Sequence, residues 1–257
     1  MAALGDIASQ LGLFLKRQRA EADLQRLARY DSLTGLPNRT FFLDTLERTL
    51  SRTAHRGTQA ALVFLDLDGF KAINDRLGHG AGDTVLQAMA DRLRAGTRSS
   101  ALVARMGGHE FTVLVQDLAR ADDAALVARG LLERLVRPLA VDDEEISLSA
   151  SAGISVFPED GGDALTLLRH ADLAMYRAKQ EGKNDYRFFT AELSNKARER
   201  MTLLDGLRAA LEHDEFELVY QPIVRRDGPP SLEALLRWRH PELGMVAPEG
   251  FITQAEE

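Results

Sequence analysis

Apolar residues recur at three- and four-residue steps at Leu4, Ile7, Leu11, Phe14, Leu24 and Leu27, predicting one long helix over residues 3–30. Its stripe is thin and is interrupted by Lys16-Arg17-Gln18-Arg19-Ala20-Glu21, so the helix cannot bury itself well alone. Two environments suit it: packing on its own domain, or a coiled coil with a second copy. Asp31 to Arg39 is turn chemistry around Gly35 and Pro37. Asn38 then reads as the N-cap of a helix carrying Phe41, Leu43, Leu46 and Leu50. Within residues 59–67 the run Ala60-Ala61-Leu62-Val63-Phe64-Leu65 is short enough for a buried strand. Helix returns from about Gly82 to Ala95, with Val85, Leu86, Met89 and Leu93 on one face.

Two short strands, 101–105 and 110–115, flank Gly107-Gly108 and read as a hairpin. A helix over 122–136, a strand over 146–157 and a helix over 164–180 follow. This alternation implies an α/β layer architecture, with helices covering a mixed sheet. After Phe189 the pattern changes. A charged helix over 192–211 looks like a connector, and strand-like runs at 216–223 and 232–237 surround the loop Arg226–Pro230. A further helix starts near Pro248. Two strands and a helical stub cannot enclose a core, so this tail reads as the beginning of a truncated second domain. The sequence has no internal repeat and no low-complexity segment.

Composition narrows the class. The chain has 257 residues, 45% hydrophobic and 28% charged, as expected of a globular protein. Cysteine is absent, which excludes disulfides, thiolate metal sites and a cysteine nucleophile. The 32 basic and 39 acidic residues give a net charge of −7, which disfavours nucleic acid as a partner. No apolar run approaches the roughly 18–20 residues that cross a bilayer. The start is broken by Gly5, Asp6, Ser9 and Gln10 and makes no secretory signal. A cytoplasmic chain without membrane contact is expected.

Candidate chemistry clusters in four places. Asp66 and Asp68 flank Leu67 at the end of a buried strand, where alternation sends both carboxylates to one face. Hard oxygen ligands there suit Mg²⁺, although both side chains could instead cap the next helix. Arg105-Met106-Gly107-Gly108-His109-Glu110-Phe111 puts ionisable groups on a glycine turn that a ligand can approach closely. Lys179 and Lys183, spaced i, i+4, either face one phosphate or merely complement a helix end. Asn74, Asp75, His79 and Asp83 lie among Gly78, Gly80 and Gly82 and could read a purine edge, while Asp83 is equally an N-cap candidate.

Taken together, DSLTGLPNR at 31–39, FLDLDGFKAIND at 64–75, GHGAGD at 78–83, RMGGHEF at 105–111 and ADLAMYRAKQEGKN at 171–184 resemble the GGDEF family of diguanylate cyclases and their degenerate relatives. YQPI at 220–223 and EALLRW at 233–238 look like the opening of an EAL domain, the cyclic di-GMP phosphodiesterase fold. IASQLGLFLKRQRAE at 7–21 resembles the last helix of a GAF-type sensor. The implied organisation is a signalling helix over 1–30, a GGDEF domain over 31–190, a helical linker over 191–214 and an EAL fragment over 215–257. The implied fold is a nucleotidyl-cyclase or palm-like α+β domain: a mostly antiparallel sheet of about five strands wrapped by helices, with a helical arm before it and a partial EAL lobe after it. The hairpin at 105–115 should lie beside the strand ending at Asp66.

The resemblance also assigns roles. In active members two GTP-loaded domains meet, and each 3′-hydroxyl attacks the α-phosphate of the other GTP with help from divalent ions. Asp66 and the carbonyl of Leu67 match metal positions, and Glu110 adds a carboxylate. Amides near Gly69 and Phe70 match phosphate contacts, Asn74 and Asp83 match guanine readers, and Lys179 and Lys183 match phosphate-binding positions. In the EAL segment Glu233 matches a metal ligand and Gln221 lies on the substrate-side strand. The cofactors implied are Mg²⁺ or Mn²⁺, the ligand or substrate is GTP, and cyclic di-GMP is a further ligand. A homodimer through the N-terminal helix is expected.

Two departures qualify these roles. His109 stands where competent cyclases carry Asp or Glu, and imidazole is a poor Mg²⁺ ligand. Losing that ligand is expected to cost roughly a hundredfold or more in rate. Arg98-Ser99-Ser100-Ala101 stands at the Arg-x-x-Asp product-inhibition site, with the acidic partner missing. The expected function is a cyclic di-GMP signalling module that binds GTP with little or no turnover and regulates the adjoining EAL domain. The alternatives are a weak diguanylate cyclase using Asp66, His109 and Glu110, and a purely structural spacer.

Overall fold

The apolar run at 59–67 becomes the central strand β1 (Gln59–Leu67), whose alternate side chains supply two separate cores. The computed structural model describes residues 26–98, 101–141, 144–193, 213–223, 231–241 and 244–248, with positions 17, 203, 206, 207, 210, 211, 251 and 252. The chain divides into two units, Met1–Leu193 and Ser194–Glu257. In chain order the first unit holds α1 (Arg39–Arg56), β1, α2 (Phe70–Leu77), α3 (His79–Gly96), β2 (Leu102–Gly107) and β3 (Glu110–Leu118). It continues with α4 (Asp123–Leu135), β4 (Leu139–Val141), β5 (Glu144–Ile146), β6 (Ala150–Phe157), α5 (Ala164–Gln180) and β7 (Tyr186–Phe188). The main sheet has five strands in the order β2-β3-β1-β6-β7. Only the β6–β7 pairing is parallel. This is the mostly antiparallel α+β architecture that the family resemblance implies, with the glycine hairpin beside β1.

Burial on both faces explains why β1 reads as an unbroken apolar run rather than an alternating one. Val63, Leu65 and Leu67 pack with Val85, Met89 and Leu93 of α3 and Ala128 and Leu131 of α4. Leu62 and Phe64 pack on the other face with Phe42 and Leu46 of α1 and Leu167 and Met175 of α5. Each such Leu or Phe contributes about 1.5–3 kcal/mol by leaving water. Local signals start and stop the helices. Asn38 accepts from the Phe41 amide at 3.0 Å, and α1 ends on Gly57 at φ 65°. Asp163 accepts from the Thr166 amide and hydroxyl at 2.9 and 2.7 Å, opening α5. Helix α5 lies directly on β6: a Cβ at Gly153 would fall 1.9 Å from the Ala171 carbonyl oxygen.

Several expectations need correction. The helix expected from Gly82 begins at His79 and is preceded by α2, which the sequence pattern did not reveal. Gly78, at φ 85°, separates the two helices, and packing of Ala81, Val85 and Leu86 overrides the low propensity of Gly80 and Gly82. Asp83 is therefore not an N-cap; Gly78 holds that position without a side-chain bond. The strand expected over 146–157 is split into β5 and β6, and β5 pairs with β4 in a separate two-stranded ribbon. The expected 3–30 and 192–211 helices lie mostly outside the described residues.

The second unit holds β8 (Phe216–Ile223), β9 (Ser231–His240) and β10 (Gly244–Val246) in an antiparallel sheet of order β10-β9-β8. Leu203, Ala210, Trp238 and Phe251 are buried together, and Trp238 Nε1 donates to Glu215 Oε2 at 2.9 Å. Leu218, Tyr220 and Leu232 remain exposed, so this unit covers only part of its apolar surface.

Candidate functional site

Strand β1 carries Asp66 onto the face covered by α5. Its register sets Glu110 of β3 on one side and Ser151 of β6 on the other. The hairpin between β2 and β3 turns through Gly107 and Gly108 at φ 146° and 49°, conformations that favour glycine. This turn brings His109 Nε2 to 3.2 Å from Asp66 Oδ2 and stacks the imidazole on Phe70, with ring centroids 5.6 Å apart. From α5, Lys179 Nζ lies 2.7 Å from Asp66 Oδ1 as an ion pair. The Asp66 side chain is only 6% exposed, and each carboxylate oxygen faces a basic group.

Titration follows from this geometry. Burial pushes the Asp66 carboxyl up, but the His109 hydrogen bond and the Lys179 ammonium outweigh it and hold the group below the ordinary carboxylate value. The bond to Asp66 raises the His109 imidazole above its usual value, against burial. Glu110 is raised by burial and then by the charges of Asp66 and Asp172. Asp172 is itself raised, by burial first, with the charge of Asp66 adding to it. Sequence reasoning did not single out Asp172. Its signal was the spacing to Lys179, 179 − 172 = 7 residues, which is two turns on one helix face.

Asp68 does not present a free carboxylate beside Asp66. Its oxygens accept from Ser149 Oγ and Ser151 Oγ, each at 2.8 Å, and from the Asn184 amide at 3.3 Å. Nor do Lys179 and Lys183 share a helical i, i+4 face. Helix α5 ends at Gln180, and Lys183 sits at φ 62° beyond Gly182 at φ 129°.

Asn74 of α2 and Gly82 of α3 meet closely. A Cβ at Gly82 would fall 1.9 Å from Asn74 Oδ1 and 3.2 Å from Phe70 Cζ, so only glycine leaves room for both side chains. Asp83 follows on α3 and is exposed. Gly69, at φ 76°, turns the chain from β1 into α2. Leu67 donates its amide to the His109 carbonyl at 3.4 Å. Glu233 lies on β9 of the second unit, opposite Gln221 of β8.

Arg105 fastens the hairpin to the start of the domain, a role the sequence reading missed. It donates to Asp31 Oδ1 at 2.9 Å and, through Nη2 and Nε, to the Gly108 carbonyl at 2.7 and 3.1 Å. Asp31 also accepts from the amide and hydroxyl of Thr34 at 2.8 and 2.7 Å. Burial raises the Asp31 carboxyl, but the Thr34 and Arg105 bonds prevail and hold it below the ordinary value.

A divalent ion at this site would draw on Asp66, Glu110 and the Leu67 carbonyl together with phosphate oxygens of a nucleotide. Asp66 is committed to His109 and Lys179, and among the described residues no three Asp, Glu or His side chains gather closely enough to hold a metal. Among the described residues no helix is long and apolar enough to cross a membrane.

A palm-like antiparallel sheet with a glycine hairpin beside an acidic strand end defines a domain of the nucleotidyl-cyclase class. Residues 28–185 match the family described as diguanylate cyclase, GGDEF domain, and residues 205–257 match the EAL domain. The chain belongs to the GGDEF family. It is 43% identical over 239 residues to the cyclic di-GMP phosphodiesterase NbdA of Pseudomonas aeruginosa, covering 92% of this chain and 30% of that protein. To the bifunctional diguanylate cyclase/cyclic di-GMP phosphodiesterase MucR of the same organism it is 42% identical over 241 residues, covering 93% and 35%. The chain thus spans about a third of the length of these relatives. Among solved structures, the GGDEF domain of TpbB (YfiN) from Pseudomonas aeruginosa aligns with a TM-score of 0.64 at 42% identity, over 66% of this chain and 99% of that one. The coiled coil and GGDEF domain of DgcB from Caulobacter crescentus, in complex with c-di-GMP, aligns with a TM-score of 0.64 at 25% identity, over 73% and 100%.

Proposed function

We propose that the first unit is a GGDEF domain that holds GTP with little or no condensation to cyclic di-GMP, and that its occupancy regulates an EAL domain joined to it. The observation that carries this reading is the state of Asp66. His109 and Lys179 take both oxygens of the carboxylate that the family uses for metal. The residues around it support the reading. Gly69 and Phe70 open α2, where helix-start amides suit phosphate, Asn74 and Asp83 lie on adjacent helices for a guanine edge, and Lys183, with Lys179 on release from Asp66, would supply positive charge for phosphates. The reading places the module in the cytoplasm, paired with a second copy through its N-terminal helix, with Glu233 and Gln221 serving the EAL side.

Glu110 opposite Asp66 favours one second reading, a weak diguanylate cyclase. The two separate in solution. Titration with GTP should give saturable binding to the wild type, whereas incubation with GTP and either Mg²⁺ or Mn²⁺ should give no cyclic di-GMP beyond an Asp66→Ala control. Absence of binding up to millimolar GTP would end the first reading.

A further inference from the structure

Gly182, Lys183 and Asn184 stand in succession at φ 129°, 62° and 49°. Asn adopts this region readily, but Lys183 takes a conformation uncommon for its residue type, and tethers on both sides accompany it. On the helix side, the Lys183 amide donates to the Ala178 carbonyl at 3.1 Å. On the sheet side, the Ala152 amide donates to the Asp185 carbonyl at 3.0 Å, where β7 begins. Between these tethers, the Asn184 amide reaches Oδ2 of Asp68, a partner 116 positions away in sequence.

Asp68 is itself firmly held. Its amide donates to the Ser149 carbonyl at 2.9 Å, and both serine hydroxyls, Ser149 and Ser151, donate to its carboxylate at 2.8 Å. It also directly precedes Gly69 and Phe70, where β1 turns into α2. A carboxylate beside an anion-binding turn would repel phosphate if its own charge were unopposed. Here three donors spend that charge on protein groups.

We infer that Asp68 is a positioning residue for the phosphate cradle: it latches the Lys183 loop to the β1–α2 turn, so that the turn and the lysine act as one rigid grip. This rests on the proposed GTP binding at the same site. The latch predicts that Lys183 loses its aim when Asp68 is removed, and that the loss falls on the added phosphates of GTP rather than on the nucleoside part shared with GMP.

The test uses the full chain. Hydrogen exchange at the Asn184 amide, without nucleotide, reads the latch itself: Asp68→Ala should accelerate it. Titration calorimetry then compares GTP with GMP. Asp68→Ala should raise the Kd for GTP about tenfold, close to the effect of Lys183→Ala, and leave the Kd for GMP within about twofold. In the double variant Asp68→Ala/Lys183→Ala, GTP should bind no more weakly than to Lys183→Ala alone. Asp68→Asn, which keeps the side-chain shape, and Ser151→Ala should show the same selective loss in weaker form, and they carry the measurement if Asp68→Ala fails to fold. Unchanged Asn184 exchange, equal loss for GTP and GMP, or losses that multiply in the double variant would each overturn the latch. A wild-type chain that binds no GTP would instead overturn the proposed function.

Discussion

His109 and Lys179 divide the carboxylate of Asp66 between them, and this sharing sets how the site responds to pH. The folded imidazole titrates above its ordinary value of 6.5, so its contribution to stability is complete below that value and is lost as pH rises through the raised one. The folded Asp66 carboxyl titrates below 3.8, so its contribution is present above that value and is lost as pH falls through the lowered one. In metal-free buffer the unfolding midpoint of the wild type should therefore decline, as pH rises above 6.5 and through the raised value, more than that of His109→Gln. The imidazole signals of His109 in NMR should move to lower titration midpoint in Asp66→Asn. An unshifted midpoint would show that the pair does not form in solution. A second residue-scale prediction concerns Gly82. Under the guanine reading, Gly82→Ala displaces the Asn74 amide and should reduce the preference for GTP over ATP by roughly tenfold while leaving the fold intact. Unchanged preference in competition binding would remove Asn74 from that role.

At the scale of elements, the closest fit is that of α5 on β6. The Cβ of Gly153→Ala would meet backbone, the Ala171 oxygen and the Met175 nitrogen at 1.9 and 2.2 Å, and backbone cannot step aside as a side chain can. The substitution should lower stability by about 3 kcal/mol or prevent folding, read as a lower midpoint in urea at unchanged slope. A loss under about half a kcal/mol would mean that α5 sits farther from the sheet. The same elements explain how much could be read from sequence. Strand β1 and helices α1 and α5 were legible because long apolar runs, an Asn38 cap and an amphipathic stripe each left a local signal. Helix α2 was not, because its eight residues bury only Phe70 and Ile73 and it abuts a glycine-rich segment that looks like a loop. Strand β7 is three residues long and shows no period at all. The site residues Asp66, His109, Glu110 and Lys179 were legible as a motif. The partners of Asp68, Arg105 and Asp172 were not, since each lies distant in sequence or two turns of helix away.

For the whole molecule, Arg105 offers a physical route between the start of the GGDEF domain and the hairpin that carries His109. The bonds from Asp31 through Arg105 to the Gly108 carbonyl are short and half-shielded, with Arg105 12% and Asp31 24% exposed. Arg105→Ala should lower the melting temperature by several degrees and loosen His109, seen as faster exchange of the hairpin amides; an unaffected hairpin would cut this route. The central claim is that GTP is held but not condensed. Its most direct test is to incubate the chain with GTP and Mg²⁺ or Mn²⁺, then identify the nucleotide by chromatography, with Asp66→Ala as control and His109→Asp alongside. The account predicts intact GTP from the wild type and cyclic di-GMP from His109→Asp. Cyclic di-GMP from the wild type that disappears in Asp66→Ala would contradict it.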